Sequence, residues 1–188
     1  FTSPDSKDGG PPPVRSRKHP LGLPEVPTRH RAELSRANDL TARTCELLDL
    51  AYQSGAELMV ENPADRGDLR EPDLFITAEH SPIWLSPSVR TLSANVHAET
   101  ATFPMCAFHA PWQKYTTLLF TSGLQPWLGP LSRLRCSHTT HEKWAGGSHG
   151  KTWNSAEAAA YPPAFNYYLA RAAASLYFTP SSAAPSGP

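Results

Sequence analysis

Proline placement limits where regular structure can form in this chain. The 20 prolines of the 188 residues are unevenly placed, with 7 in positions 1–27 and 3 in the short tail after Thr179. Proline fixes its own backbone dihedral, lacks an N–H donor and disfavours helical geometry in the preceding residue. We therefore expect three parts: a Pro/Gly-rich loop over residues 1–27, one folded domain over 28–178, and a disordered tail over 179–188.

Charge and cysteine content narrow the class of protein. The formal net charge is zero, whereas a free-standing nucleic-acid binder is usually strongly basic. Arginine and lysine do concentrate in residues 14–36, where a solvated face is the ordinary interpretation and phosphate contact is the alternative. The 3 cysteines form no disulfide framework, and no membrane-spanning run or signal peptide is visible. We expect an intracellular protein, the nucleus included, with no membrane contact.

The first half of the domain predicts a helix followed by a strand. Apolar residues recur at three- and four-residue spacing from Thr28, a plausible N-cap, to Gly55. The residues predicted to face the core are Leu34, Ala37, Leu40, Thr44, Leu47 and Ala51, with Cys45 also inward. Residues 56–61 then predict a buried strand that Asn62-Pro63 stops, which places Glu61 at its carboxyl end. Ligands bind beyond the carboxyl ends of strands in open α/β sheets, so Glu61 is a candidate functional residue.

The second half predicts a polar insertion and further helices and strands. The insertion covers residues 64–80, and a short helix follows from Pro82 to Leu92. β-branched and aromatic residues predict strands over 95–103 and 115–121. An alanine-rich helix is predicted from Ser155, interrupted at Pro162-Pro163 and continuing to Tyr177.

An ordered set of short motifs resembles a known family. The chain is similar over roughly residues 1–176 to phage-, virus- and retroelement-encoded proteins related to cytosine-C5 DNA methyltransferases. The motifs that carry this resemblance are Gly9 to Gly22 with Val14-Arg15, Glu61-Asn62-Pro63, Cys106 to Thr116, Cys136-Ser137-His138 with His141, and Ala160-Tyr161-Pro162.

The resemblance implies the C-terminal part of a Rossmann-like α/β sheet of the S-adenosylmethionine-dependent methyltransferase type, incomplete at its N-terminal side. In this family a Gly-rich loop binds S-adenosylmethionine in the first half, and a Pro-Cys nucleophile precedes the helix predicted here from Thr28. Phe1-Thr2-Ser3 resembles the residues just after that Pro-Cys. The implied partners are DNA and the missing N-terminal half, with the S-adenosylmethionine site mostly outside this chain, so the chain alone is expected to be inactive and poorly soluble.

The resemblance also assigns roles to site residues. Cytosine C5 becomes nucleophilic once a thiolate adds to C6, which requires a carboxylic acid to hold and protonate N3. Glu61 matches that acid, and Asn62 and Pro63 match the residues that fix the turn aiming it. The expected substrate-binding residues are Arg15, Trp112, Gln113, Lys114 and Thr116. Two arginines of the family's Gln-x-Arg-x-Arg segment are missing, which leaves Lys114 as the cation of that segment.

Simpler interpretations stand beside these. Glu61 could be a strand-end carboxylate that faces water, and the whole chain could be a non-catalytic nucleic-acid-binding or structural relic of a mobile-element polyprotein. Cys136, His138 and His141, with Cys106 and His109, are residue types that bind zinc. Such short gaps are common by chance and no Cys-x-x-Cys pair is present, so loop packing is the expected role, with no metal.

Overall fold

The computed structural model describes residues 13–71, 74, 78–143, 148–149, 152–153 and 158–177. The helices are α1 Thr28–Gln53, α2 Pro87–Asn95, α3 Gln125–Leu128 and α4 Pro163–Ser175. The strands are β1 Met59–Pro63, β2 Glu99–Pro104, β3 Tyr115–Phe120, β4 Ser148–His149 and β5 Thr152–Trp153. The first 12 residues, the predicted cap at Ser155 and the tail 179–188 lie outside the described residues.

The main sheet has three strands in the order β1-β3-β2. The central strand β3 pairs antiparallel with both neighbours, so β1 and β2 run parallel to each other. The chain passes from β1 to β2 through α2, which is the kind of crossover that parallel strands need. A separate two-stranded ladder joins β4 and β5.

The sheet buries its two faces against different helices because side chains alternate along each strand. One face carries Phe103, Leu118 and Phe120, which form a core cluster with Leu128 and with Phe165 of α4. The opposite face carries Val60 and Leu119, which pack against residues of α1 and α2. A mixed α/β architecture with helices on both faces of a small sheet is therefore the observed fold.

Helix α1 matches the predicted range, and its predicted inward face is correct in part. Cys45, predicted inward, is its buried residue, and Leu48, Ala51 and Tyr52 pack beside it. Leu40 and Leu47, predicted to face the core, are 62% and 67% exposed. The prediction was wrong for these two leucines because two apolar stripes run along this helix and spacing alone cannot say which one the sheet covers. Thr28 is also a helical residue and not the cap, since Pro27 occupies the N-cap position.

Strand β1 differs from the predicted strand in position and burial. It begins at Met59 and continues through Pro63, which pairs with Thr116, so Asn62-Pro63 does not stop it. Proline is tolerated there because β1 is an edge strand of the sheet that the described residues form, pairing with β3 alone. None of its residues is fully buried, in contrast to the buried strand predicted.

The other elements agree with the sequence to within a few residues, with two exceptions. Strand β3 and helix α2 lie close to their predicted ranges, and β2 starts later because α2 and its turn occupy residues up to 98. The sequence missed the helical turns of Ser122–Arg133, which bury Leu124, Leu128 and Leu131. Helix α4 starts only at Pro163, and the described residues 158–160 before it form a turn and a bend, not a helix.

Residues 13–27 form turns that pack against the domain. Val26 is buried, and Gly22 adopts a φ of 144°. Residues with a side chain rarely adopt this φ, so the turn favours glycine at position 22. Among the described helices, none combines the length and the apolar character that a membrane span requires.

The aromatic core between the sheet and α4 yields a stability prediction. Phe165 is fully buried, with ring centroids 5.6 Å from Phe103 and 5.1 Å from Phe108. Phe165→Ala should lower the free energy of unfolding by about 3–5 kcal/mol, because it removes apolar contact and leaves a cavity. Tyr167→Ala, on the same helix but 68% exposed, should change it by less than about 0.5 kcal/mol. Urea denaturation of both variants tests this, and similar losses would contradict the assigned packing of α4.

Candidate functional site

Glu61 projects from the middle of β1, not from its carboxyl end as expected, onto the face that α4 covers. It pairs with Leu118, and Thr116 lies two residues away on the same face of β3. Such diagonal neighbours are within reach of a long side chain. The side chain of Glu61 is half-buried, so it lies at the margin of the core and not in open solvent.

Two hydroxyl groups donate to the Glu61 carboxylate. The Thr116 hydroxyl donates to Oε1, and the Tyr161 hydroxyl donates to Oε2. Thr116 Oγ1 also lies 3.0 Å from the carbonyl oxygen of Asn62, but it has one proton, and the carboxylate is the stronger acceptor. Thr116 is fully buried, so its contact is with Glu61 and it orients that side chain.

Tyr161 is the site residue that sequence reasoning did not assign. It lies just before Pro162, the N-cap residue of α4, and its ring packs against Phe165 at 5.6 Å between centroids. Burial raises the pKa of Tyr161 above its ordinary value of 10, and the adjacent Glu61 carboxylate raises it further. Tyr161 therefore stays protonated at neutral pH and remains a hydrogen-bond donor. Its place beside Pro162 in the Ala160-Tyr161-Pro162 motif was the one available signal.

Lys114 joins this group through Tyr161. Its Nζ lies 5.7 Å from the centroid of the Tyr161 ring and donates to the carbonyl oxygen of Ala158 at 3.0 Å. The ammonium group therefore ties the start of β3 to the segment that leads into α4. The cation–π contact also helps to hold the ring that reaches Glu61.

Asn62 and Pro63 occupy strand positions, not a turn as expected. The Pro63 carbonyl accepts the indole N–H of Trp84 at 2.9 Å. Asn62 Oδ1 is buried and has no hydrogen-bond partner among the described residues. These residues therefore fix the end of β1 by strand pairing and through Trp84.

The remaining predicted substrate-binding residues occupy different surroundings. Arg15 lines a small pocket with Asn38 and Pro82 and donates to Asn38 Oδ1 of α1 at 2.7 Å. Trp112 packs against the aromatic core, and its indole nitrogen is buried with no partner among the described residues. Gln113, between Trp112 and Lys114, is exposed. The structure thus brings Glu61, Thr116 and Lys114 together with Tyr161, and these four residues form the Glu61 group. It places Arg15 against α1.

An ion-pair network follows β1 directly. Asp65 accepts two hydrogen bonds from Arg17 Nη1, at 2.7 and 2.8 Å, and one from the backbone N–H of Gly67. Burial alone would raise the pKa of Asp65, but the contacts with His80, Arg17 and Gly67 outweigh it and lower the pKa to about 2. The Arg66 backbone N–H donates to His80 Nδ1 at 3.0 Å. The network attaches the loop of residues 13–27 to the end of β1.

A groove of about 410 Å³ adjoins this network on the sheet face opposite Glu61. Thr102 and Thr117 line it from β2 and β3. Its charged residues are already engaged in ion pairs, as in the contact of 2.6 Å between Arg70 and Asp68. These ion pairs leave the Glu61 group as the better candidate for chemistry.

A second cluster of reactive side chains lies at the start of β3. Cys106, Cys136, His138 and His141 each place one ligand atom within 4.8 Å of all the others. Cys136 Sγ is 3.6 Å from His138 Nδ1 and 3.3 Å from His141 Nε2. Among the described residues this is the group of histidine, cysteine and carboxylate side chains that could hold a metal ion. The sequence spacing did not predict this convergence, because Cys106 precedes β3 in the chain and the other three residues follow it.

The two thiols of this cluster differ in acidity. Burial raises the pKa of Cys106, and the neighbouring Cys136 raises it further. Burial would also raise the pKa of Cys136, but hydrogen bonds from His138, Cys106 and Gln113 outweigh that effect and lower it. The raised pKa makes the Cys106 thiol a weak nucleophile at neutral pH.

No protein-family model, no curated protein and no solved structure matches this chain. The case for its function therefore depends on the geometry of the Glu61 group and on the motifs that the sequence carries.

The contact between Glu61 and Tyr161 predicts a change in the titration of Tyr161. Glu61→Gln removes the negative charge that opposes the phenolate, so the pKa of Tyr161 should fall towards its ordinary value of 10 and stay above it because burial persists. Carbon-13 NMR of tyrosine Cζ during alkaline titration measures this shift. Glu57→Gln is the matched control, because Glu57 accepts from Thr121 and Gly123. If every tyrosine titrates as in the unmodified chain, Glu61 does not contact Tyr161.

The Asp65 network predicts a pH-dependent loss of stability. Since the folded-state pKa of Asp65 is depressed, its stabilisation is full above the ordinary value of 3.8 and disappears as pH falls towards about 2. Asp65→Asn should lower the free energy of unfolding by about 1–2 kcal/mol at pH 7, and the difference should shrink as the solution is acidified.

Urea denaturation of both proteins, from pH 7 down to the lowest pH with cooperative unfolding, measures the difference. Asp39→Asn on the exposed side of α1 is the control. If Asp39→Asn lowers the free energy of unfolding by the same amount, the effect comes from removing a negative charge and not from losing the contact with Arg17.

Proposed function

We propose that this chain is the base-handling part of a cytosine-C5 DNA methyltransferase-like protein, in which Glu61 is the carboxylic acid that holds cytosine N3. The observation that carries the proposal is the position of Glu61. It lies on the face of β1 that α4 covers, at the margin of the core, and two hydroxyl groups fix both of its oxygens. A carboxylate that merely faces water would not need a fully buried threonine to orient it.

The strand order supports the same proposal. Parallel strands β1 and β2 with an antiparallel strand β3 between them fit the closing side of a methyltransferase-type sheet. Mixed pairing of this kind is common where an α/β sheet ends. Helices on both sheet faces agree with a doubly wound arrangement.

The unpaired edge of β1 and an exposed apolar stripe on α1 would suit contact with a segment that binds S-adenosylmethionine. Within the described residues β1 pairs only with β3, and an unpaired edge is a site where another strand can add. Leu40, Leu47 and Leu50 of α1 are all more than half exposed. Apolar side chains along one helix stripe indicate an interface. We assign this interface to the segment of the same protein that would bind S-adenosylmethionine.

The proposed mechanism gives Glu61 one proton-transfer task. A cytosine turned out of the duplex would place N3 against Glu61, whose carboxylate would take up a proton from solvent as the base binds and pass it to N3, which makes C6 electrophilic. The carboxyl oxygens retain acceptor capacity beyond the hydrogen bonds from Thr116 and Tyr161. S-adenosylmethionine would supply the methyl group.

Tyr161 and Thr116 act as positioning residues. Each holds one oxygen of the carboxyl group, so together they restrict its rotation about the terminal bond. Lys114, held over the Tyr161 ring, supplies a cation close to where a phosphate of the extruded nucleotide would lie. The thiolate nucleophile must come from a Pro-Cys outside this chain, because Cys45 and Cys106 are buried and Cys136 belongs to the cysteine–histidine cluster.

Methyl transfer from labelled S-adenosylmethionine to cytosine-containing DNA tests the proposal. The protein to assay is the full reading frame that carries this chain, with Glu61→Gln and Glu57→Gln as variants. We expect transfer to C5 that falls by about 10²–10⁴-fold in Glu61→Gln, the usual contribution of a general acid. Glu57→Gln should retain activity, because Glu57 contacts only the opposite end of the strand pair, at Thr121 and Gly123.

Two outcomes would overturn the proposal. Transfer to an exocyclic amino group would mean a different methyltransferase chemistry. A folded protein that binds DNA without any transfer would favour the alternative of a non-catalytic nucleic-acid-binding or structural relic.

A further inference from the structure

We propose that Cys106, Cys136, His138 and His141 bind one zinc ion, which cross-links the loop after β2 to the segment after Arg133. This proposal does not depend on the methyltransferase proposal. It starts from the convergence of four side chains whose ligand atoms all lie within 4.8 Å of one another. Two sulfur and two imidazole ligands form the Cys₂His₂ set of structural zinc sites.

The observed separations match those of a tetrahedral site. With Zn–S bonds of ~2.3 Å and Zn–N bonds of ~2.0 Å, a tetrahedral site places its sulfur and nitrogen ligand atoms about 3.5 Å apart. Cys136 Sγ is 3.6 Å from His138 Nδ1 and 3.3 Å from His141 Nε2. The upper limit of 4.8 Å for the other pairs requires movements of about 1 Å or less to reach tetrahedral spacing.

The segment that carries three of the ligands has no apolar anchor of its own. Residues 135–143 contain no helix or strand, and all their side chains are exposed except the ligands Cys136 and His141. Two backbone N–H groups attach it to the rest of the domain, from Cys136 to the Tyr115 hydroxyl at 3.4 Å and from Lys143 to the Pro111 carbonyl at 2.8 Å. Ordering such a segment has a large entropic cost that apolar burial does not offset here, whereas a metal cross-link would offset it.

One ligand of the cluster, Cys106, is held by the folded domain itself. Cys106 is buried in the short 3-10 turn Met105–Phe108, which packs onto the aromatic core. The Met105 backbone N–H donates to the Lys114 carbonyl at 2.8 Å, so this turn is already joined to the start of β3. The fold therefore holds the Cys106 ligand in place, and the adjacent segment supplies Cys136, His138 and His141.

Zinc is the metal that this ligand set favours. Thiolate and imidazole together select zinc over magnesium, calcium and manganese, which prefer oxygen ligands. Two thiolates neutralise the charge of Zn²⁺, which suits a half-buried site. Four protein ligands leave no open position for water, so the ion is structural and not catalytic.

The zinc ion would stabilise the loop that contains Trp112, Gln113 and Lys114. This loop lies between Cys106 and Tyr115, and its Pro111 carbonyl accepts from Lys143 beyond the last ligand. A fixed loop would hold Lys114 over Tyr161. The metal would thus act on the Glu61 group at a distance, through the position of Lys114.

The test is the metal content of the purified 188-residue chain, expressed in zinc-supplemented medium with an affinity tag that contains no histidine. We expect about one zinc per chain by elemental analysis, as for a closed four-ligand site. Cys106→Ser, Cys136→Ser and His141→Asn should each bind much less zinc and melt at a lower temperature. Cys45→Ala and His109→Asn are the controls, since Cys45 packs against α2 and asparagine tolerates the left-handed backbone of His109.

A second measurement avoids the risk that ligand variants fail to fold. Exchange of zinc for Co²⁺ in the unmodified chain should give the visible bands of tetrahedral cobalt and the near-ultraviolet sulfur-to-cobalt charge transfer of two thiolates. Chelation should abolish both bands and lower the melting temperature.

Three results would overturn the proposal. They are a native chain without zinc that takes up no Co²⁺, a zinc content that Cys106→Ser leaves unchanged, and an unreduced mass that shows a disulfide between Cys106 and Cys136.

Discussion

The central strand β3 is the constraint on which the rest of the structure depends. Its backbone pairs with β1 on one side and β2 on the other, and its side chains from Thr116 to Phe120 are all buried. Leu118 and Phe120 point into the core under α4, while Leu119 points to α1 and α2. A shift of one residue in this strand would exchange the two cores, so the packing of both helical layers fixes its register. Thr116, and with it Glu61, takes its position from that register.

The Glu61 group shows how a polar site is built at the margin of a core. Thr116 comes from the sheet, Tyr161 from the segment before α4, and Lys114 from the loop before β3. Because the site is half-buried, its hydrogen bonds are stronger than they would be in water, and an unpaired carboxylate there would be costly. Phe165 seats the first turn of α4 and thereby places Tyr161. The stability of the aromatic core and the geometry of the candidate site are therefore linked through one helix.

The loop at the start of β3 connects the two proposals. It is held at one end by Met105 and Lys114, and its Pro111 carbonyl contacts the segment that carries Cys136 and His141. A metal at this point would replace the apolar core that the segment lacks. Small or loop-rich regions gain order in this way when they cannot bury enough apolar surface.

The sequence by itself determined the elements whose signals are local. The spacing from Thr28 defined α1, and β-branched and aromatic residues defined β3. Glu61 became a candidate because a strand end was expected there, although the structure places it in the middle of β1. Only the tertiary structure decided which stripe of α1 faces the sheet, that Pro63 lies within an edge strand, and that Tyr161 and Cys106 complete two polar clusters. The physical reason is that these outcomes depend on contacts between residues far apart in the chain. Helix and strand periodicity describes which residues share a face, but the partner of that face is chosen by the packing of the whole domain.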